Sequence, residues 1–480
     1  MTNTLYYGDN LDVLRQHVNA ESVDLIYLDP PFNSKANYNV LFGGNGKSQA
    51  QIRAFDDTWH WGPEAARSFA DVMQQGGRAA DLLDSFRRFL GDNDMMAYLT
   101  MMTPRLVELH RVLKKTGTIY LHCDPTASHY LKILMDSVFG VRCFLNEVVW
   151  YYRGAGVPKT ARARRHDILL CYVKKAGGQF FNPDPIRRPY AEATVERFKH
   201  HIGNIRGDHD FGTQTLHPLG KHPDDVITDI QPIAPSANDR LGYPTQKPLE
   251  LLEEIIKSSS RPDDLVLDPF CGCGTTIHAA QKLKRNWIGI DITHLAIGLI
   301  EYRLLDAFGI RPLVIGAPED LEGATNLFER DPFQFEAWAV TRLLGIKPNE
   351  KKVGDKGVDG LGRFYLGRDG QQREQYGKIL VSVKGGQRIG VAMIRDFRGA
   401  MEREKADLGV FICLADPTRD MISEAASAGR YRKIDGLDCP RIQIFTIADH
   451  FAGRKPELPP AIDDARRRAR AEHPPQQQLI

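Results

Sequence analysis

The sequence predicts an α/β protein: a doubly wound, Rossmann-like and mostly parallel sheet, followed by a smaller separate α/β module. Three observations carry this. Short apolar runs alternate with helix-patterned segments through residue 150 and again after residue 238, the rhythm of strands joined by helical crossovers. Two of those runs, VDLIYLD and DLVLD, stop on an aspartate, at the strand end where an open parallel sheet binds its ligands. A chain of 480 residues also exceeds one ordinary core, so two or three domains are expected.

Taken in order, VDLIYL (Val23 to Leu28) and GTIYLHC (Gly117 to Cys123) read as buried strands. Between them, MMAYLTMMTPRLVELHRVLKKTG has helical spacing and is expected to run to its closing lysines and glycine. Residues 150–238 form a candidate recognition region with weak periodicity. There Arg153, Lys159, Arg162, Arg164 and Arg165 crowd among Trp150, Tyr151 and Tyr152. That cluster reads either as a solvated insertion or as a surface that tracks phosphates and touches bases. Alternation returns with the helix LELLEEIIKSSS, led by Pro248, and with the strands DLVLDPF and NWIGIDI. The doubly wound pattern fades near Gly316 to Thr325, which bounds a first domain at 1–325.

A second domain is expected over 332–451. FQFEAWAVTRLLG reads as a helix, KILVSVKGG and DLGVFICLA as strands, with helices around Met393 to Glu404 and Met421 to Ala428. Residues 456–480, ending RRRARAEHPPQQQLI, read as a disordered tail.

Composition narrows the class. The chain is 42% hydrophobic and 26% charged, a globular balance. Its 63 Lys and Arg against 61 Asp and Glu leave a net charge of +2. A polyanion-binding surface must therefore come from uneven placement of charge. Seven cysteines, with Cys271 and Cys273 too close to bridge easily, favour reduced thiols. The opening MTNTLYYGDN lacks a signal pattern, and no uncharged run reaches the ~18–20 residues of a membrane span. A soluble, cytoplasmic protein with no membrane partner is expected.

The two acid-tipped strands lead into different loops. After Asp268 come Pro269, Phe270, Cys271, Gly272, Cys273, Gly274, Thr275 and Thr276. Two glycines spaced by one residue let a ligand approach the backbone and leave a helix N-terminus pointing at it. About twenty residues on, the next strand ends at Asp291, suited to accept from ribose hydroxyls. The third glycine of a dinucleotide loop and the lysine of a P-loop are both missing, which fits a nucleoside without phosphates. Two thiols without a partner pair do not make a metal site.

After Asp29 come Pro30, Pro31 and Phe32. The lone pair of an exocyclic base amine is delocalised into the ring. A carboxylate and a carbonyl that each accept one N–H would draw that nitrogen towards tetrahedral geometry. Asp29 supplies the carboxylate. Pro30 supplies a carbonyl aimed by the restricted backbone before Pro31, and Phe32 a face for a planar base. These four are the candidate catalytic residues; the plain alternative is a turn that merely ends a strand.

Asp29-Pro-Pro-Phe32 with Asp268-Pro-Phe-x-Gly-x-Gly-Thr-Thr276 resembles the S-adenosylmethionine-dependent DNA amino-methyltransferases. The catalytic motif precedes the cofactor motif, which is similar to the permuted order of the β class, whose recognition region lies between the two. The resemblance covers roughly Met1 to Thr325. It implies S-adenosyl-L-methionine as cofactor and double-stranded DNA as partner, with a homodimer left open. Tyr7-Gly8-Asp9-Asn10 resembles the acidic turn near the cofactor adenine, which implies a cofactor role for Asp9. Gly242-Tyr-Pro-Thr-Gln-Lys-Pro248 resembles the motif that contacts the methionine part, and so adds Thr245, Gln246 and Lys247. His122-Cys-Asp124 resembles a strand end beside the target-base pocket, although His122 reads equally well as a core histidine. The resemblance implies that the Arg153–Arg165 surface grips the duplex while one base is flipped out. Direct methyl transfer then needs no covalent intermediate and no metal. An acid at position 29 is more typical of adenine N6 than of cytosine N4, which stays as the alternative. RNA or protein-glutamine methylation uses similar loops, but the permuted order and the second module argue against it.

In that module, Gly354-Asp-Lys-Gly-Val-Asp-Gly360 followed by Val381-Ser-Val-Lys-Gly-Gly386 resembles the restriction-endonuclease fold of the Mrr type. The resemblance implies Asp359, Lys384 and Glu336 as nuclease residues around Mg²⁺, needed only if this domain cuts DNA. Ser382 stands where a carboxylate or glutamine is expected. Two readings result: a methyltransferase whose second domain assists DNA binding, and a single-chain restriction-modification enzyme.

Overall fold

A computed structural model describes residues 3–31, 60–154, 158–199, 203–206, 209–213, 215–233, 246–346, 358–368, 374–432 and 438–459. Phe32, Thr245 and residues 460–480 of the expected tail lie outside them.

In chain order the strands of the first unit are β1 (Thr4–Tyr7), β2 (Val23–Leu28), β3 (Leu113–Cys123), β4 (Phe144–Tyr151) and β5 (His166–Val173), a separate pair β6 (Gly203–Arg206) and β7 (His209–Thr213), then β8 (Val226–Ile227), β9 (Leu265–Asp268), β10 (Asn286–Asp291) and β11 (Leu313–Ile315). Among the described residues, nine of them form one sheet in the order β11-β1-β10-β9-β2-β3-β5-β4-β8. Pairing is parallel from β11 to β3, and β5 runs antiparallel between β3 and β4. β9 leads by a helix to β10 on one side, while β2 leads to β3 on the other. The winding therefore reverses between β9 and β2, which pair in parallel with Leu25 opposite Val266 and Ile26 opposite Leu267. A reversal of this kind opens a crevice at the carboxyl ends of the two strands.

Alternation along β2 shows how the sheet is covered. Ile26 and Leu28 enter one apolar core with Leu14, Leu99 and Leu106, from helices Asn10–His17 and Asp94–Val112. Leu25 and Tyr27 enter the opposite core with Leu252 and Ile277, from helices Leu249–Ser259 and Thr275–Lys282. Strands buried on both faces explain the continuous apolar runs of the sequence.

Two elements differ from expectation. The long helix stops at Val112, and Lys114 and Lys115 belong to β3. The Lys114 ammonium lies 2.8 and 2.7 Å from the two carboxylate oxygens of Asp24 on the neighbouring strand, a cross-strand pair that the helical spacing could not reveal. HDILLCYV, inside the weakly periodic region, is β5, a buried strand of the main sheet.

The second unit has the four-stranded sheet β12 (Gly360–Arg368), β13 (Glu374–Lys384), β14 (Leu408–Cys413) and β17 (Ile442–Thr446), with β15 (Arg430–Arg432) and β16 (Asp438–Pro440) paired apart. β12 and β13 are antiparallel, and β14 and β17 continue in parallel. Helices Leu321–Arg330 and Pro332–Trp338 supply Leu327, Phe335 and Trp338 to the core beneath this sheet. No helix among the described residues is long and apolar enough to cross a membrane. All seven cysteines are free thiols.

Candidate active site

The adjacent ends of β9 and β2 bring Asp268 and Asp29 into one crevice. Asp268 is buried. Its Oδ1 accepts the Phe270 N–H at 3.0 Å, and the Thr276 hydroxyl also bonds to it. Burial, and secondarily the charges of Asp29 and Asp291, push its carboxyl up to about 7. The Pro269 carbonyl is held by the Asn10 amide at 2.8 Å. The loop then turns through Gly272 at φ 49° and Gly274 at φ 76°. At Gly274 a side chain would also collide with Ile300, whose Cγ1 lies 2.5 Å from the position of a Cβ. Glycine there satisfies both backbone and packing. Thr275 and Thr276 open the following helix, both buried. The buried Cys271 and Cys273 thiols are pushed up by burial, away from the thiolate form.

Asp291 closes the loop from β10. Its Oδ2 accepts the Gly272 N–H at 2.9 Å, and its Oδ1 accepts the Thr293 N–H at 2.9 Å and hydroxyl at 2.8 Å. The expected ribose acceptor thus anchors its own loop, with lone pairs left over. Burial pushes it up to about 6.

On the other lip, Pro30 is buried and Pro31 half-buried. The Lys247 ammonium donates to Asp29 Oδ2 at 2.6 Å, and both side chains are largely buried, at 12% and 16% exposure. Lys247, expected with the cofactor motif, is thus bonded to the candidate catalytic carboxylate. Gln246, beside it, is half-buried. Asp9 caps helix Asn10–His17, accepting the Leu11 N–H at 2.7 Å.

The sequence reading missed Arg105, and it missed Tyr27 and Asp167 around His122, which reads equally as a pocket or a core histidine. Arg105 reaches both Asp9 oxygens at 2.9 and 2.8 Å and Asn10 Oδ1 at 2.6 Å, locking the acidic turn against the long helix. Behind Asp29, the fully buried His122 places Nδ1 2.8 Å from the Tyr27 hydroxyl and Nε2 3.1 Å from Asp167 Oδ2. The Tyr152 hydroxyl donates to Asp167 Oδ1 at 3.0 Å. Burial, and then the Lys247 charge, hold His122 below its ordinary range, hence neutral. Because a carboxylate only accepts, Nε2 carries the proton and Tyr27 donates to Nδ1. Asp167 sits in the segment whose strand went unread, so nothing in the local pattern marked it.

A model of the N6/N4 DNA methylase family matches residues 23–301. The chain belongs to this family. This methylase is 27% identical over 368 residues to the type II methyltransferase M.EcaI of Enterobacter cloacae, covering 65% of this chain and 71% of that protein. It is 28% identical over 301 residues to the DNA adenine methyltransferase YhdJ of Escherichia coli strain K12, covering 62% and 81%. Among solved structures it is similar to the PvuII cytosine-N4-specific DNA methyltransferase, with a TM-score of 0.38 and 15% identity over 62% of this chain and 86% of that one. A restriction endonuclease model of the Mrr catalytic type matches residues 328–441.

On this DNA methylase, Arg153, Lys159, Arg162 and Arg164 are exposed and Arg165 half-buried, on the connection from β4 to β5. The aromatics among them part ways. Trp150 is core: it is 3% exposed and donates to the Ile230 carbonyl at 2.8 Å. Tyr152 is bound to Asp167, and Tyr151 alone of the three is exposed. A strand alternates its faces, so neighbours in sequence cannot all meet one ligand.

In the second unit Asp359 and Lys384 do converge. Asp359 Oδ2 accepts the Val383 N–H at 2.6 Å and the Ser382 hydroxyl at 3.3 Å, with the Lys384 ammonium at 3.7 Å. Glu336 is half-buried on the Pro332–Trp338 helix. Among the described residues no group of three His, Cys, Asp or Glu could hold a metal ion.

Proposed function

We propose that the chain is a site-specific DNA methyltransferase that moves a methyl group from S-adenosylmethionine to N6 of an adenine turned out of duplex DNA. One observation carries this reading: the Asp29-Pro30-Pro31 turn and the Asp268–Thr276 loop terminate neighbouring parallel strands at the reversal of the sheet. The donor set suits the cofactor. Asp29, Asp268 and Asp291 repel one another across the crevice when ionised, a repulsion that a cationic ligand relieves. The glycine loop and helix N-terminus admit a nucleoside without demanding a phosphate.

On this reading Asp9, Asp268, Asp291 and the Gly272–Gly274 backbone hold the cofactor, which when bound supplies an electrophilic methyl group. Asp29 and the Pro30 carbonyl each accept one N–H of the target amine, and Phe32 stacks on the base. The exposed Arg153, Lys159, Arg162 and Arg164 neutralise phosphates. The acid at position 29 and the adenine activity named for the E. coli relative support adenine over cytosine.

The test is methylation of duplex DNA followed by mass spectrometry of its nucleosides. N6-methyladenine is expected, and N4-methylcytosine would overturn the base assignment. Asp29→Ala should lower transfer at least about a hundredfold while cofactor still binds. Near-normal methylation by that variant would sink the reading. Solution mass determines whether a second copy of the chain joins the assembly.

The Asp359–Lys384 pair supports a second reading, DNA cleavage by the same chain. The described donor set does not complete a divalent-ion site, because Ser382 occupies the place of a ligand. Incubating unmethylated DNA with Mg²⁺ decides between cutting and binding. Any cutting intrinsic to this site must vanish in Asp359→Ala.

A further inference from the structure

We propose that Lys247 is a positioning residue for the catalytic carboxylate: it pins Asp29 by one oxygen and turns the other towards the target amine. The inference rests on the methyltransferase reading and deepens it, because the resemblance of its motif assigned Lys247 to the cofactor.

The Lys247–Asp29 contact, at 2.6 Å with both side chains largely buried, is not a surface pair held loosely by solvent. It engages Oδ2. Among the described residues Lys247 is the one side chain hydrogen-bonded to this carboxylate. The Asp χ2 torsion is broad and roughly two-fold, so an unpinned carboxylate would present either oxygen over a wide arc. A pinned one offers Oδ1 in a defined plane. Lys247 is itself constrained, since Pro248 follows it and disfavours helical backbone, and Pro248 caps the rigid Leu249–Ser259 helix.

Charge gives a second reason. A carboxylate accepts an N–H more strongly than a neutral acid does, and Asp29 lies within electrostatic reach of Asp268. Without a cation, two carboxylates in one crevice favour protonation of one of them. Described groups that face Lys247 include Asp29 at the end of β2, His122 on β3 and Asp167 on β5, and its charge acts on all three. Removing it changes the setting of the carboxylate and leaves the Gly272–Gly274 loop, anchored by Asp291 and Asn10, intact.

The experiment compares Lys247→Met and Lys247→Arg with the wild-type full chain. Cofactor affinity comes from calorimetry, which also reports folding, and the methyl-transfer rate is measured on duplex DNA at saturating cofactor. Lys247→Met should bind S-adenosylmethionine within about threefold of wild type and lose at least about a hundredfold in saturated rate. The acid limb of its rate profile should move to higher pH, and Lys247→Arg should recover part of the rate. A saturated rate that is unchanged while affinity falls overturns the proposal and returns Lys247 to the cofactor. An acid limb that does not move overturns it as well. A wild-type chain that methylates no DNA refutes the methyltransferase reading itself, and the wild-type control separates the two failures.

Discussion

Acidifying the buffer should weaken cofactor binding, with a slope set by one buried carboxyl. Asp268 is 2% exposed, and burial, helped by Asp29 and Asp291, raises it from 3.8 to about 7. That rise is a preference of about 4 kcal/mol for the neutral acid over the bare carboxylate. A cationic ligand in the crevice reverses the preference, so binding below about pH 7 must expel a proton. One expelled proton makes the association constant fall about tenfold per pH unit, and the curve flattens above about pH 7.5. Asp291, raised to about 6, steepens the slope at the acid end. Calorimetric titration of S-adenosylmethionine from about pH 5.5 to 8.5, in two buffers of different ionisation enthalpy, counts the proton directly. Asp268→Asn should bind weakly and show a flatter slope. Stability without ligand should run the other way. Between pH 3.8 and about 7 the native state keeps the Asp268 proton that the unfolded chain has lost. This contribution is complete below that window and disappears as pH rises through it. Affinity constant within twofold over the whole range, with no dependence on buffer, would refute the reasoning.

Gly274→Ala meets both a left-handed φ of 76° and Ile300 at 2.5 Å. It should cost about 2–5 kcal/mol, visible as a fall in Tm of several degrees, and should weaken cofactor binding. An unchanged Tm would contradict the packing at this loop. The double variant Arg162→Ala with Arg164→Ala removes two exposed cations. If both meet phosphates, the slope of log affinity for DNA against log salt should shrink by about 2; an unaltered slope would take the duplex off the β4–β5 connection.

The legible parts of the site were the local ones. Asp29 and Asp268 stand out because each ends an apolar run and is followed by prolines or glycines, residues whose backbone restrictions act on their immediate neighbours. The partners of those acids were not legible. Lys247 meets Asp29 across 218 positions, and His122 meets Asp167 across 45 and Tyr27 across 95. No periodicity carries such a pairing. Trp150 fits neither reading of its cluster for a related reason: it stands among arginines that read as a solvated insertion or a base-touching surface, yet strand alternation turned it into the core. β5 escaped notice because a polar, proline-rich stretch surrounds eight residues whose burial depends on lying between β3 and β4.

By itself, the sequence determined the kind of chemistry and the family. A carboxylate followed by two prolines, and a G-x-G loop followed by threonines, owe their character to covalent order. Tertiary structure decided which charges share the crevice. Opposed groups cost little apart in water but must be paired or neutralised once buried together. Only folding brings Lys247 onto Asp29, buries Asp268 within reach of two other carboxylates, and closes Tyr27, His122 and Asp167 into one network behind them.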